Sequence, residues 1–523
     1  MILARQILSP LSDGQERSVA SWPGPPWYCT GQAGRVSIEV SVKEALLSVR
    51  WLLIEGADVI DGRGTPAIPA TNVLIRNNRI ATIGAGAERG RVPRGESLAV
   101  IDAAGRTLMP GLVDSHCHMT YGECLSNEEI EVYTGVEART LVAAWNLNKV
   151  LRAGVTSISQ PGGTYNIGVA LRDGMRAGTV QGPRMTTAGR YIATSNSLTG
   201  SEYPEAIGNP ASMLGVVANS LPEMLGQVRR QIRDGVDFIK LADSPYGQWQ
   251  AFRNDEMKEI SELAHQLNRK VTIHARGSAE VNAAIDADMD WIMHGNVMTD
   301  DVIEKLAVSR IPLVPTLLLL ANIADFGKHF GSPPGLRDGC KRMLEATAET
   351  LHKAHQAGVV LSAGSDSGFG VTSYGEWHAR ELDLLVTYAG LSPLEAITAA
   401  TRNGAKMMGL EGEVGEISEG SLADLIVVRG DPSKQVSVLM DKRNIETVIK
   451  DGRVLTFSDE VAEARHGNER NNVYTTSVVT YESVFGEGDP VPPELISWPA
   501  DQQRELLSEL YGPQAGASIV AQD

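Results

Sequence analysis

Six side chains of the kinds that bind metal ions or move protons recur at intervals that a repeating fold can gather: His116, His118, Lys240, His274, His294 and Asp366. His116 and His118, in VDSHCHMT, are two residues apart, so on a strand both imidazoles leave the same face. Two converging imidazoles suit a borderline metal such as zinc. Alone, an HxH pair is weak evidence, because two surface histidines often share that spacing. The later members carry more. Lys240 ends VDFIKLA, His274 ends KVTIHA, His294 ends DWIMH, and Asp366 closes LSAGSD. A lysine at the end of an apolar strand is costly unless its charge is paired or removed. By itself it is more often a snorkelling or ion-paired lysine. Four histidines, a lysine and an aspartate, each closing an apolar run, together point to a metal centre.

The elements that must position them follow from the periodicity. From Gly111 onward, short apolar runs alternate with helical stretches. Strands are expected near Leu112–His116, Val155–Ser159, Arg184–Ala188, Phe238–Leu241, Val271–His274, Trp291–His294, Leu313–Thr316 and Val359–Ser362. Between them, Glu137–Gly154 and Asn254–Arg269 are expected to be helices. Met257, Ile260, Leu263, Ala264 and Leu267 fall at helical spacing in the second. Eight strands alternating with helices favour an α/β (β/α)8 TIM barrel, whose catalytic groups sit at the C-terminal ends of the strands. No GxGxxG follows the first strand, which argues against a dinucleotide fold.

Hairpin texture flanks the barrel on both sides. The expected organisation is an N-terminal extension over 1–48, a small β-sandwich built from 49–108 and 412–457, a barrel over 109–411, and a C-terminal tail over 458–523. The chain has 523 residues, 42% hydrophobic and 21% charged, ordinary for a globular protein. A net charge of −17 gives no footprint for nucleic acid or anionic lipid, so neither partner is expected. Cys29, Cys117, Cys124 and Cys340 are scattered without a CxxC pair, which indicates neither a disulfide framework nor a thiolate zinc site. The first twenty residues carry charges and lack the continuous apolar run of a signal peptide. The longest apolar run, near Ile311–Ala324, holds Pro312 and Pro315 and is too short to span a bilayer. A cytoplasmic enzyme acting on a small molecule, assembled as a homo-oligomer, is the expectation.

The HxH, Lys, His, His and Asp series on strands one, four, five, six and eight resembles the amidohydrolase superfamily. MPGLVDSHCH, LSPLEAITAATRNGAKMMGL and GEISEGSLADLIVVRGDP strengthen the likeness to its imidazolonepropionase-like and prolidase-like branch. The resemblance covers roughly Leu52 to Thr456. It implies two divalent metal ions, zinc foremost, with cobalt, manganese or iron as alternatives. His116, His118 and Asp366 would hold one ion, and His274 and His294 the other. Lys240 would be an N6-carboxylysine bridging both. A metal-bound hydroxide would then attack a carbonyl, with Asp366 passing the proton to the leaving group.

Substrate recognition is less constrained. Arg276, two residues after His274, can face the mouth and bind a carboxylate or carbonyl, or pair with a nearby acid. Tyr246 and Trp249 in ADSPYGQWQAF offer an apolar wall. Ser195 and Asn196 lie in TSNSLTG, where prolidase-like relatives carry a Gly-Gly-His phrase, and His378 follows the eighth strand. The departure at Ser195 and Asn196 shifts the expectation from a dipeptide toward an amide, carbamate or urea. It also gives a weaker resemblance to phenylurea and thiocarbamate herbicide hydrolases. The alternative is an Xaa-Pro or N-acyl amino acid peptidase-type reaction. A mononuclear deaminase is disfavoured, because such enzymes typically lack the lysine and carry a glutamate where this chain has Gly277.

Overall fold

The structure, a computed structural model, describes residues 49–457, 475 and 477–486. The expected N-terminal extension, with Cys29, and nearly all of the expected C-terminal tail lie outside the described residues. The chain opens with β1 (Arg50–Val59), β2 (Ile68–Arg76), β3 (Arg79–Ile83), β4 (Ser97–Asp102) and β5 (Thr107–Pro110). The strands that carry the site follow: β6 (Leu112–Asp114), β7 (Val155–Gln160), β8 (Arg184–Thr187), β9 (Tyr191–Ala193), β10 (Gly215–Val217), β11 (Phe238–Ala242), β12 (Lys270–Gly277), β13 (Trp291–Val297) and β14 (Leu313–Val314). Three more, β15 (Leu425–Val428), β16 (Ile445–Lys450) and β17 (Arg453–Val454), come after them.

The outer strands form one eight-stranded sheet of order β17-β16-β15-β5-β1-β2-β3, with β4 paired to β1. β15 lies antiparallel between β5 and β16, so segments from before and after the central strands are stitched together. Alternation explains how this sheet meets the rest. Leu425 and Val427 join Leu52, Ile54, Val73 and Ile75 in the core of the sheet. Ile426 and Val428, on the other face of the same strand, join the large core around the central strands.

All the central pairings are parallel. β6-β7-β8 form one run and β10-β9-β11-β12-β13-β14 another. The amide of Asp237, one residue before β11, donates to the carbonyl of Thr187 at 2.8 Å and joins the two runs on one side. On the other, Leu313 bridges Leu361, and the Ser115 amide donates to the Ala363 carbonyl at 2.9 Å. The eighth strand expected at Val359–Ser362 is therefore reduced to a single bridge. Its flanks are Gly358, at φ +84°, and Gly364, where an added Cβ would lie 2.7 Å from that of His116. The chain must turn sharply and pass close to a ligand there, which leaves no length for a ladder.

Helices cover the outside of these strands. They include α1 (Val136–Arg152), α2 (Ile167–Ala177), α3 (Leu221–Arg233), α4 (Asn254–Gln266), α5 (Ser278–Asp286), α6 (Asp300–Ser309), α7 (Leu318–Phe326), α8 (Pro334–Gln356) and α9 (Arg380–Ala389). α4 buries Met257, Ile260 and Ala264 of the face its spacing predicts, while Leu263 is half-buried and Leu267, just past the helix end, is exposed. Glu256 reaches back to the Arg253 amide at 2.9 Å and satisfies a free donor at its start. The apolar run from Ile311 becomes β14 and α7, buried as core. Among the described residues, no helix is long and apolar enough to cross a membrane.

Candidate metal centre

His116 and His118 lie just beyond the end of β6, Lys240, His274 and His294 lie in the C-terminal halves of β11, β12 and β13, and Asp366 follows the segment that stands in for the eighth strand. His116 and His118 follow β6, with their Nε2 atoms 3.1 Å apart. The Nδ1 atoms face fixed oxygens: Thr316 Oγ1 at 2.9 Å for His116, and the Gly162 carbonyl at 2.8 Å for His118. These contacts turn both Nε2 atoms inward, as outer partners of metal-bound histidines do. Asp366 Oδ1 lies 3.4 Å from His116 Nε2 and 3.2 Å from His118 Nε2. His294 stacks edge-on with His116 at 5.3 Å between centroids and with His274 at 4.3 Å. Lys240 is buried, and its Nζ contacts Met293 Sδ at 2.6 Å.

The backbone is strained where these groups meet. His294, Thr316 and Asp366 have φ of +79°, +57° and +51°, a region that side chains other than glycine seldom enter. Three such residues around one cluster fit a site whose geometry is held by the surrounding fold.

Electrostatics agree with a ligand set. Burial, and then the charges of neighbouring cations, hold His274 and His294 well below the ordinary histidine range. Burial does the same for His116 against the pull of Asp366. All three rings are neutral, the form that donates a lone pair. Burial lowers Lys240 to about 7, opposed by Asp366 and aided by Arg276. Burial would raise Asp366, but His116, His118 and Arg276 outweigh it and keep the carboxylate ionised. His274 Nε2 and both ring nitrogens of His294 are buried with no hydrogen-bond partner among the described residues. Unsatisfied buried nitrogens are expensive. One His294 ring nitrogen lies within 4.8 Å of ligand atoms of His116 and Asp366. The donor set therefore fits divalent metal ions.

A cavity of about 620 Å³ opens above the cluster. All six residues line it, together with Arg276 and an apolar wall from α7 and α8 that includes Leu319, Leu320, Ile323, Leu336 and Met343. Arg276 Nη1 donates to Asn296 Oδ1 at 2.6 Å, while its buried Nε has no partner among the described residues.

Residues 107–455 match the Amidohydrolase family. The chain belongs to the amidohydrolase family. Its fold is accordingly of the TIM-barrel type, and it is a hydrolase acting on carbon–nitrogen bonds. It is similar to the ochratoxinase of Aspergillus niger, 28% identical over 435 residues, covering 76% of this chain and 85% of that protein. A crystal structure of a Xaa-Pro dipeptidase with methionine bound in the active site superposes with a TM-score of 0.69 at 26% identity, covering 77% of this chain and 99% of that one. Molinate hydrolase shares the fold with a TM-score of 0.66 at 21% identity, over 81% and 99% of the two chains.

The residues named for substrate contact divide into two groups in this amidohydrolase. Tyr246 and Arg276 line the cavity. Ser195, Asn196 and Trp249 stand outside its lining and hold loops together. Trp249 Nε1 donates to the Asn196 carbonyl at 3.0 Å, and Asn219 Nδ2 donates to Ser195 Oγ at 2.8 Å. Trp249 is half-exposed and stands outside the lining. His378 is likewise absent from the cavity. It is buried behind the centre, with Nδ1 at 2.6 Å from Asp114 Oδ2.

Asp114, missed in the sequence, explains that placement. Its Oδ1 accepts from the amides of His116 and Ser365, each at 3.0 Å, while Oδ2 takes His378 and the Ser365 hydroxyl. One buried carboxylate thus ties the HxH segment to the segment carrying Asp366. The D-x-H-x-H spacing was the available signal. Tyr121 and Tyr191 were also missed. Tyr121 stacks on His118 at 4.2 Å, its hydroxyl lies 3.4 Å from that of Tyr191, and both rings line the cavity.

Proposed function

We propose that this amidohydrolase hydrolyses an amide, carbamate or urea bond of a small, partly apolar organic molecule, using two divalent ions, zinc foremost. His116, His118 and Asp366 would hold one ion and His274 and His294 the other, with Lys240 carboxylated between them. The central strands would close as a (β/α)8 barrel around this site. The observation that carries the reading is the convergence of three partnerless histidine nitrogens, an ionised buried aspartate and a buried lysine on the floor of one cavity. When bound, the ions polarise the scissile carbonyl and make water nucleophilic at neutral pH.

The protein's own groups supply the rest. A lysine lowered to about 7 presents the neutral amine that carboxylation needs. Asp366 Oδ1, directed at both His116 and His118, takes the proton of the attacking water and returns it to the leaving nitrogen. Arg276, clamped by Asn296 with its Nε unsatisfied, binds the substrate's carbonyl or carboxylate oxygen. The apolar wall of α7 and α8 keeps bulk water away from the reacting carbonyl. We place the enzyme in the cytoplasm, a setting that suits the buried thiols of Cys117 and Cys340.

The buried guanidinium of Arg276 and the likeness to a Xaa-Pro dipeptidase favour a second reading, cleavage of an N-acyl amino acid or Xaa-Pro bond. A mononuclear deaminase fits less well, because Lys240 stands buried at the centre and position 277 is glycine. The test is a turnover screen of metal-loaded enzyme against ureas, carbamates, anilides and N-acyl amino acids. Hydrolysis confined to the first three classes supports the leading reading. Hydrolysis of N-acyl amino acids alone moves the assignment to the second, and deamination without C–N cleavage of any acyl compound contradicts both.

A further inference from the structure

The loop between β11 and α4, residues 243–252, brings Pro245, Tyr246 and Gln248 to the cavity. Tyr246 keeps 62% of its surface exposed, so the backbone that carries it sets its place at the mouth. Two buried acids fix that backbone. Asp243 closes the neck of the loop. Its Oδ1 accepts from the amides of Ser244 at 2.8 Å and Ala251 at 2.5 Å, and its own amide donates to the His274 carbonyl at 3.0 Å. Glu280, in the first turn of α5, has no exposed surface and reaches two segments at once. Its Oε2 accepts from the amides of Arg276 at 2.5 Å and Gly277 at 2.9 Å. Its Oε1 accepts from the Ser244 amide at 3.2 Å and from the Ser244 hydroxyl. The Ser244 hydroxyl oxygen in turn accepts from the Gly247 amide at 3.0 Å. There the loop lies on the end of β12, for a Cβ added at Gly277 would stand 2.3 Å from the Gly247 carbonyl oxygen.

A helix cap explains only half of this arrangement. A glutamate at the third helical position commonly reaches back to the amide before the helix, and Oε2 does so. Burying the whole carboxylate is costly unless both oxygens find donors. Helix α5 gains nothing from Oε1, whose bonds serve the loop. We propose that Glu280 is a positioning residue of this amidohydrolase: through Ser244 it locks the 243–252 loop onto the end of β12. The lock fixes the spacing between Tyr246 and Arg276 across the cavity mouth. A flat aryl acyl compound long enough to reach both groups gains from that fixed spacing. A compound too short to reach Tyr246 does not.

This assignment rests on the hydrolytic reading only in taking the cavity as the substrate's. The test uses metal-loaded full-length wild type, Ser244→Ala, Glu280→Gln, Tyr246→Ala and the double variant Ser244→Ala with Tyr246→Ala. The probes are 4-acetamidobenzoate, which carries a ring, and N-acetylglycine, which does not. Binding is measured by calorimetry, turnover in parallel, and the loop by amide hydrogen exchange. Ser244→Ala removes the loop's hydroxyl and leaves the α5 contacts in place. Glu280→Gln keeps an acceptor for α5 but turns an NH2 group toward the Ser244 amide. Both should speed exchange over 243–252 by about tenfold while α5 keeps its protection. Both should weaken 4-acetamidobenzoate about fivefold, in Kd and in KM, and change N-acetylglycine by less than about twofold. In the Tyr246→Ala background, Ser244→Ala should add less than about twofold, because the two act through one contact.

Unchanged exchange of the loop in both variants, equal losses on the two probes, or additive effects in the double variant overturn the proposal. If Glu280→Gln does not fold, Ser244→Ala decides alone. No binding of 4-acetamidobenzoate by the wild type counts as refutation. Failure of the wild type to hydrolyse any urea, carbamate, anilide or N-acyl amino acid retires the hydrolytic reading, while Ser244-dependent aryl binding leaves this one standing. Hydrolysis that is indifferent to Ser244 and Glu280 does the reverse.

Discussion

The floor and the wall of the cavity are held by different means. On the floor, every ligand sits in the C-terminal half of a central strand or just past it, and the orienting contacts come from the scaffold: Thr316 and the Gly162 carbonyl for the histidine pair, Asp114 for the two segments around it. The wall is built by the loop from Thr194 to Leu214 and by α7 and α8. The loop is tied down from outside the lining by contacts to other loops, as between Trp249 and Asn196. The contrast teaches that bond-breaking chemistry is fixed by residue type on rigid elements, whereas substrate choice depends on how loops meet.

Breaking the floor should cost most. Lys240→Ala should lower kcat by at least about a thousandfold, because the bridge between ligand halves is lost. A short carboxylate added to the assay should restore part of it, and full turnover in the variant would contradict the bridging role. One layer out, His378→Ala should leave the cavity unchanged yet weaken metal affinity by about 10–100-fold, as loss of outer-shell partners does. Titration of the metal-free protein with zinc measures this directly. An unchanged affinity would show that Asp114 holds the ligands without His378.

Effects on the wall should be smaller and depend on substrate. Arg276→Ala should raise KM about tenfold for carboxylate-bearing substrates and less for neutral ones. Equal loss on both would assign Arg276 to the acyl oxygen alone. Trp249→Ala should change kcat/KM by no more than about twofold, since the ring lies outside the cavity. A large effect would mean that the Asn196–Trp249 contact shapes the wall after all.

The same contrast governs what could be read from the sequence. His116, His118, Lys240, His274, His294 and Asp366 were legible because strand alternation and strand ends set their direction. α1 and α4 were legible for the same kind of reason, with ends near Arg152 and Gln266 against expectations of Gly154 and Arg269. Val359–Ser362 was not, because the close approach of Gly364 to His116 is a tertiary constraint. Neither were β9 and β10, three residues each, inside what reads as a long loop. Ser195, Asn196 and Trp249 have the right types for a binding wall, but their direction is set by contacts between loops far apart in the chain. His378 looked like a pocket residue because it follows the eighth strand segment, and only the carboxylate of Asp114 turns it inward.

The central claim, that six residues form a two-metal centre bridged through Lys240, is tested most directly by the metal-to-protein ratio. Elemental analysis of wild type and Lys240→Ala, both purified without chelator, should give two divalent ions per chain for the wild type and one or none for the variant. No bound metal in the wild type, or the same ratio in both proteins, would contradict it.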